Sequence, residues 1–311
     1  MSGVVVIGAG TLGTEIIRRL QTPPVAIIDR RAAPTGELAS NWVRHDLRDT
    51  DGLARLVSEL SPSGIVYTAG LSTSQSGDEP GLARTVHCDA AVAALDALHD
   101  HARFLYLSSF AVYGAVPGDS PVREAQPLKP LGTYGRLKAD AERDLQRTRG
   151  NRDLVILRSA GLYGSVAPEG SLSQQYMLRL VLDALRGHVT VPGPDVDLDE
   201  LWFVDDAARV VAALIESPLR ERCRSTVLNG GPGHRTAGRD LHAALRALNR
   251  NAVHEIGPTP EGFMATARLD VAALSDLVGN PATTSLPEGV RVLAQRLERQ
   301  QSEDRLVRSE R

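Results

Sequence analysis

Cysteine is scarce. Cys88 and Cys223 are the two in 311 residues, too few and too far apart for a disulfide scaffold or a structural zinc site. Both read as ordinary thiols of a reducing compartment, and no metal is expected. No apolar run approaches the roughly 20 residues that cross a bilayer. Met1-Ser2-Gly3 passes straight into Val4, without the basic segment and cleavable apolar stretch of a secretory signal. These absences predict a cytoplasmic protein without membrane contact. Charge of one sign is missing too: 35 Lys plus Arg against 38 Asp plus Glu leave −3, so nothing draws the chain toward nucleic acid. A small molecule is the expected partner.

With 42% hydrophobic residues, the chain can bury a large core. Val4 to Ile7, Val25 to Ile28, Ile65 to Thr68, Phe104 to Leu107 and Leu154 to Leu157 are too apolar to have a wet face, as strands of a parallel sheet must be. Helical patterns alternate with them at Leu12 to Leu20, Leu53 to Leu60, Leu82 to His99 and Tyr134 to Arg147. The class is α/β, a doubly wound parallel Rossmann-type sheet with a smaller C-terminal lobe. Residues 1–165 form the expected nucleotide-binding domain, with a returning segment near 204–230. Residues 166–203 and 231–300 form the substrate lobe, and 301–311 a charged tail.

Gly8-Ala9-Gly10-Thr11-Leu12-Gly13 is G-x-G-x-x-G, placed where the first strand ends and a helix begins. Gly8 permits the tight turn, Gly10 lets backbone N–H groups approach a pyrophosphate, and Gly13 lets the helix pack on the sheet. Asp29 ends the second strand, 21 residues after Gly8, where a carboxylate accepts the adenosine ribose hydroxyls and disfavours a 2′-phosphate. That selects NAD. The adjacent Arg30 and Arg31 keep NADP open, because a guanidinium can hold a 2′-phosphate. Asp46-Leu47 follows a short strand-like stretch and offers a carboxylate to the adenine amino group.

Ser108 and Ser109 end the fourth strand of the series, and Tyr134-Gly135-Arg136-Leu137-Lys138 opens the next helix. Tyr134 and Lys138, at i and i+4, share one helix face. Alone, such a pair describes many amphipathic helices. Beside a dinucleotide site it describes a tyrosine made usable as acid or base by a neighbouring ammonium, with a serine hydroxyl to hold the reacting oxygen.

The ensemble resembles the extended short-chain dehydrogenase/reductase family, also called the NAD-dependent epimerase/dehydratase family. Thr68-Ala69-Gly70 looks like its cofactor-contacting strand end, and Asp46-Leu47 like its adenine-contacting pair. Ser108 to Gly114 is similar to S-S-x-x-V-Y-G, and Leu157 to Gly164 to L-R-P-x-N-V-Y-G. Phe203-Val204-Asp205-Asp206 resembles a late V-D-D helix start, and Ala267 to Asp270 a substrate-lobe element. The resemblance implies Tyr134 as acid/base, Lys138 binding the nicotinamide ribose and tuning Tyr134, and Ser109 orienting the substrate oxygen. It also places Gly161 near the cofactor and implies a homodimer built from Leu82 to His99 and Tyr134 to Arg147.

The implied function is an NAD(P)-dependent oxidoreductase acting at an alcohol or ketone carbon of a sugar-like or aminocyclitol-like molecule. A nucleotide-sugar epimerase or dehydratase with internally recycled NAD is the alternative enzyme, and a non-catalytic NAD(P)-binding sensor the alternative of another class. Departures from the family pattern matter. His87 stands where many members carry Asn, and such a histidine is more often packed and hydrogen-bonded than a proton relay, so it is left outside the catalytic set. Gly161 replaces the Asn of R-P-x-N, and Asp199 stands where a phosphate-binding Arg is expected. With Asp199 and Glu200 as candidate substrate-binding acids, the expected substrate lacks a nucleotide diphosphate and carries amines.

Overall fold

The apolar runs of the N-terminal half become strands shut off from water on both faces. The computed structural model describes residues 3–34, 36–116, 120–167, 170–217, 225–258 and 268–309. Met1, Ser2, Cys223, Ala267 and the last two residues of the charged tail lie outside them. In chain order, β1 (Val4–Ile7), α1 (Thr11–Ile17), β2 (Ala26–Asp29) and β3 (Trp42–Arg44) come first, then α2 (Thr50–Leu60) and β4 (Gly64–Tyr67). Next come α3 (Thr73–Asp78), α4 (Pro80–Arg84), α5 (Ala90–Asp96), β5 (Arg103–Ser109), α6 (Thr133–Thr148) and β6 (Asp153–Ser159). After them come β7 (Gly161–Tyr163), α7 (Leu172–Arg186), β8 (His188–Pro192), β9 (Asp197–Leu198) and β10 (Leu201–Phe203). The order closes with α8 (Val204–Glu216), β11 (Ser225–Gly230), β12 (Thr236–Ala237), α9 (Gly238–Leu248), β13 (Val253–Gly257), α10 (Ala272–Val278) and α11 (Leu286–Ser309).

The seven-stranded sheet runs β11-β6-β5-β4-β1-β2-β3, every pairing parallel. Val5, Val6 and Ile7 in β1 and all four residues of β4 are buried, because helices cover both faces. One core joins Val6, Ile27 and Leu105 to Ile16 of α1 and Val211 of α8. The other joins Val5, Ile65 and Phe104 to Val57 of α2, Leu95 of α5 and Leu145 of α6. A third core, smaller, gathers Met177, Val189, Phe203, Leu241 and Leu293 from the C-terminal elements. Strand order reverses at β1, flanked by β2 on one side and β4 on the other, and in such sheets the crevice beyond the strand ends at that point binds ligand.

The expected single helix from Leu82 to His99 is interrupted. Between α4 and α5 the chain makes one π turn, Thr85–Asp89, closed by the Ala90 N–H on the Thr85 carbonyl. A wider turn frees carbonyls from the helix ladder. Buried strand tyrosines take them: the Tyr67 hydroxyl donates to the Val86 carbonyl (2.6 Å) and the Tyr106 hydroxyl to the His87 carbonyl (2.9 Å). The alanine run does its packing within the chain, with Ala90, Ala91 and Ala94 fully buried. Further on, β8 and β13 pair with each other, elements that sequence periodicity did not announce. The expected charged tail continues α11 as helix to Ser309.

Candidate active site

The crevice is built from strand ends. Gly8, directly after β1, has φ +93°, and a side chain there would meet the Ala69 backbone at 2.5 Å. Gly13 lies so close to the turn that a Cβ would sit 2.0 Å from the Gly8 carbonyl oxygen. Gly10 is the opposite case, since a Cβ there would meet nothing of the protein within 4 Å. The glycine loop is therefore clamped at Gly8 and Gly13 and open at Gly10, over the start of α1 where Thr11 and Leu12 begin the helix. No acidic side chain occupies the first turn of α1. A pyrophosphate fits such a cradle.

Asp29 closes one side. Its Oδ2 accepts the Ala9 N–H at 2.8 Å, and its Oδ1 accepts the Arg31 backbone N–H at 2.9 Å and side-chain Nε at 2.8 Å. Burial pushes this carboxyl up, but the Arg31 guanidinium and the two backbone donors outweigh it and hold the group below the usual carboxylate range. The arginine engaged here is Arg31, which also donates to the Ala9 carbonyl, whereas Arg30 is exposed and offers its carbonyl to Arg44. Asp46 lies just beyond β3, the strand beside β2, with Leu47 packed on the core. Hydrogen bonds and charge from Arg48 lower the Asp46 carboxyl to about 2.

Across the crevice, Ala69 and Gly70 follow β4, with the Ala69 N–H on the Ile7 carbonyl at 3.0 Å. Ser109 ends β5 and caps the following turn by accepting the Ala111 N–H at 3.2 Å. Tyr134, in the first turn of α6, is pushed up by burial, and a hydrogen bond with Ser109 opposes that shift. Lys138, one turn on, is buried with its Nζ on the Leu107 carbonyl (2.8 Å), 4.7 Å from the centre of the Tyr106 ring and 5.9 Å from that of Tyr134. Burial brings Lys138 down to about 8. Ser109, Tyr134 and Lys138, far apart in sequence, thus converge on the crevice that holds the glycine loop.

Two features complete the crevice. His87, on the π turn, is completely buried, with its ring edge-on to Tyr134 at 5.5 Å. It sits in the one π turn of the helix that runs beneath the crevice. Beneath Ser109, Ser108 donates to Glu142, one helical turn beyond Lys138, and Arg158 of β6 grips the same carboxylate with Nε and a terminal nitrogen (3.1 and 2.7 Å). Arg158 also donates to the Tyr113 hydroxyl, which donates to Asn229. This buried set fixes β5, α6, β6 and β11 to one another, and removing one partner of such a pair leaves a buried charge uncompensated.

Of the two expected substrate acids, Glu200 is engaged within the fold. Glu200 accepts the backbone N–H groups of Gly233 (3.0 Å) and Leu269, and burial pushes its carboxyl up to about 7. It latches two loops of the C-terminal part together. Asp199 beside it is 3% exposed. Gly161 does adjoin this pair, donating its N–H to the Glu200 carbonyl at 3.1 Å. A Cβ on Gly161 would lie 2.4 Å from the Ser173 hydroxyl, so the missing family Asn leaves room that Ser173 uses. Burial and the two backbone donors turn Glu200 inward.

Residues 4–228 match the model of the NAD dependent epimerase/dehydratase family. The dTDP-6-deoxy-L-talose 4-dehydrogenase (NAD(P)(+)) of Kitasatospora kifunensis is 26% identical over 300 residues, 92% of this chain and 92% of the relative. UDP-glucose 4-epimerase 4 of Oryza sativa subsp. japonica is 29% identical over 188 residues, 54% of this chain and 50% of the relative. Among solved structures, MoeE5 in complex with UDP-glucose and NAD superimposes with a TM-score of 0.79 at 25% identity, covering 96% of this chain and 99% of that one. With a glycine cradle open at Gly10, the Asp29 carboxylate beside it and a Ser–Tyr–Lys set in one crevice, the chain belongs to the NAD dependent epimerase/dehydratase family and is an NAD-using enzyme of the extended short-chain dehydrogenase/reductase type.

Proposed function

We propose that the protein transfers hydride at a secondary alcohol or ketone carbon of a sugar-type small molecule, with Tyr134 as acid/base. The observation that carries this is the convergence of Ser109, Tyr134 and Lys138 at the end of β5, facing the glycine loop. NAD, when bound, supplies the hydride acceptor. Gly8, Gly10, Thr11, Leu12 and Gly13 would hold its pyrophosphate, Asp29 its adenosine ribose, and Asp46 and Leu47 its adenine. Ala69, Gly70 and Gly161 would line the nicotinamide end.

The protein's own part is to position and to move one proton. Ser109 holds the substrate hydroxyl by a hydrogen bond, and Tyr134 Oη takes its proton as the carbonyl forms, or returns it in the reverse direction. An isolated buried phenol resists ionisation, as the upward shift of Tyr134 records. The Lys138 ammonium opposes this by its positive charge. Glu142 and Arg158 keep α6 in register with β5, so the distance between Ser109 and Tyr134 is held by a buried network.

Epimerisation with internally recycled cofactor is the second reading, favoured by the UDP-glucose 4-epimerase names among the relatives. Those names, and that of the dTDP-sugar dehydrogenase, also run against the expected absence of a nucleotide diphosphate, and with Glu200 turned inward an amine is no longer specified. Gly161 and Ser173 still support a substrate held without the family Asn. The reading includes cytoplasmic action, consistent with the free thiol of Cys88. It also includes a homodimer joined along α5 and α6. Among the described residues no helix is long and apolar enough to cross a membrane. Incubation with nucleotide sugars, free sugars and aminocyclitols, following both NADH absorbance and product, tests the function. Stoichiometric NADH supports a dehydrogenase, an isomerised product without net NADH supports the epimerase, and NAD binding with no conversion of any substrate class would overturn both.

A further inference from the structure

Lys138 is 4% exposed, and the ionisable groups around it offer no free negative charge. On the π turn, burial pushes the Cys88 thiol up to about 11 and holds His87 well below the usual histidine range, so both are uncharged at neutral pH. On α6, burial pushes the Tyr134 phenol up, and the Glu142 carboxylate is taken by Arg158 at 2.7 Å and by the Ser108 hydroxyl. The Leu107 carbonyl accepts from Nζ at 2.8 Å, which sets a dipole where a buried ammonium calls for a charge.

What remains is the face of Tyr106. Nζ lies over this ring, 4.7 Å from its centre, and an aromatic face carries the negative lobe of the ring quadrupole. The attraction is strongest where both partners are shut off from water, as here. The ring is held in place: it is fully buried, stacks 5.9 Å from the Tyr67 ring, and donates its hydroxyl to the His87 carbonyl at 2.9 Å. Burial pushes the Tyr106 phenol well above its usual range, so it keeps its proton and acts on Lys138 through its face.

We infer that Tyr106 is a positioning residue for the reaction, its ring face holding the Lys138 ammonium charged and in place beside Tyr134. This rests on the reading of Tyr134 as acid/base served by Lys138. Tyr106 acts through the lysine and exchanges no proton.

The test removes the quadrupole and leaves the shape. Tyr106→Phe keeps the ring and drops the hydroxyl, whereas replacement of Tyr106 by a ring-trifluorinated phenylalanine keeps the bulk and drains the face of negative charge. Each protein is melted from about pH 6 to about pH 10.5 with Lys138 and with Lys138→Met, because the difference isolates the lysine. In the wild-type background the lysine protein gains on its Lys138→Met partner from about pH 8 upward. Tyr106→Phe should leave that onset in place, and the fluorinated ring should move it about one pH unit lower. An onset unmoved by fluorination, an equal shift in Tyr106→Phe, or no onset in the wild type overturns the inference. Turnover at pH 8 reads the consequence, and should fall about fivefold with the fluorinated ring as the charged fraction of Lys138 drops. A moved onset with unchanged turnover would overturn the part assigned to Tyr106 in the reaction. A wild type that turns over no substrate class sinks the reading of Tyr134, and the melting difference still decides whether the ring holds the charge.

Discussion

Replacing Lys138 by methionine should stabilise the fold while abolishing its chemistry. Burial brings the Lys138 ammonium from the ordinary 10.5 down to about 8, so holding it charged at pH 7 costs about 3 kcal/mol relative to the unfolded chain. Methionine fills nearly the same volume and keeps a favourable contact with the Tyr106 ring, 4.7 Å from the present ammonium. It leaves the Leu107 carbonyl without its donor, an offset of about 1 kcal/mol. A net gain of about 2 kcal/mol corresponds to a melting temperature about 4 °C higher. The sign with pH follows from linkage. Between pH 8 and 10.5 the unfolded lysine binds more proton than the folded one, so the wild type gains stability as pH rises through that window. The variant lacks this gain, so its advantage should shrink through zero and become slightly negative by pH 10.5, where only the lost Leu107 hydrogen bond is left. Melting curves of both proteins from pH 7 to 10.5, read as a difference, cancel the other titrating groups. A pH-independent difference, or a variant less stable at pH 7, would refute the electrostatic account of the site.

Two further outcomes are expected. Asp29→Ala removes charged hydrogen-bond acceptors and should weaken NAD by about tenfold to a hundredfold while sparing NADP, measured by titrating both cofactors; an unchanged ratio would mean that Arg31 sets the preference. Glu200, raised from 4.5 to about 7, keeps its proton longer folded than unfolded. Stability relative to Glu200→Gln should therefore fall as pH climbs from 4.5 to 7, and parallel melting profiles over that range would contradict the raised carboxyl.

The sheet was legible because parallel strands buried on both faces must be continuously apolar, and Val4 to Ile7 and Phe104 to Leu107 are so. Ser109, Tyr134 and Lys138 were legible because a helix places Tyr134 and Lys138 on one face and a strand end delivers Ser109. Less could be read where the signal depends on tertiary contacts. The π turn at Thr85–Asp89 hides inside a run whose alanines continue a helical pattern, so the resemblance to the family, and not periodicity, is what drew attention to His87. Glu200 reads as a substrate-binding acid until the Gly233 and Leu269 backbones fold onto it. β13, with Val253 59% and Ile256 72% exposed, has no buried face to betray it.

Tyr134 is proposed to move the proton and to do little else. Tyr134→Phe keeps the ring that meets His87 and removes only the hydroxyl, so steady-state turnover with any competent substrate should fall by about 10² to 10⁴, with NAD affinity by titration within about twofold of wild type. Turnover equal to wild type, or a loss of NAD binding that accounts for the drop, would contradict it.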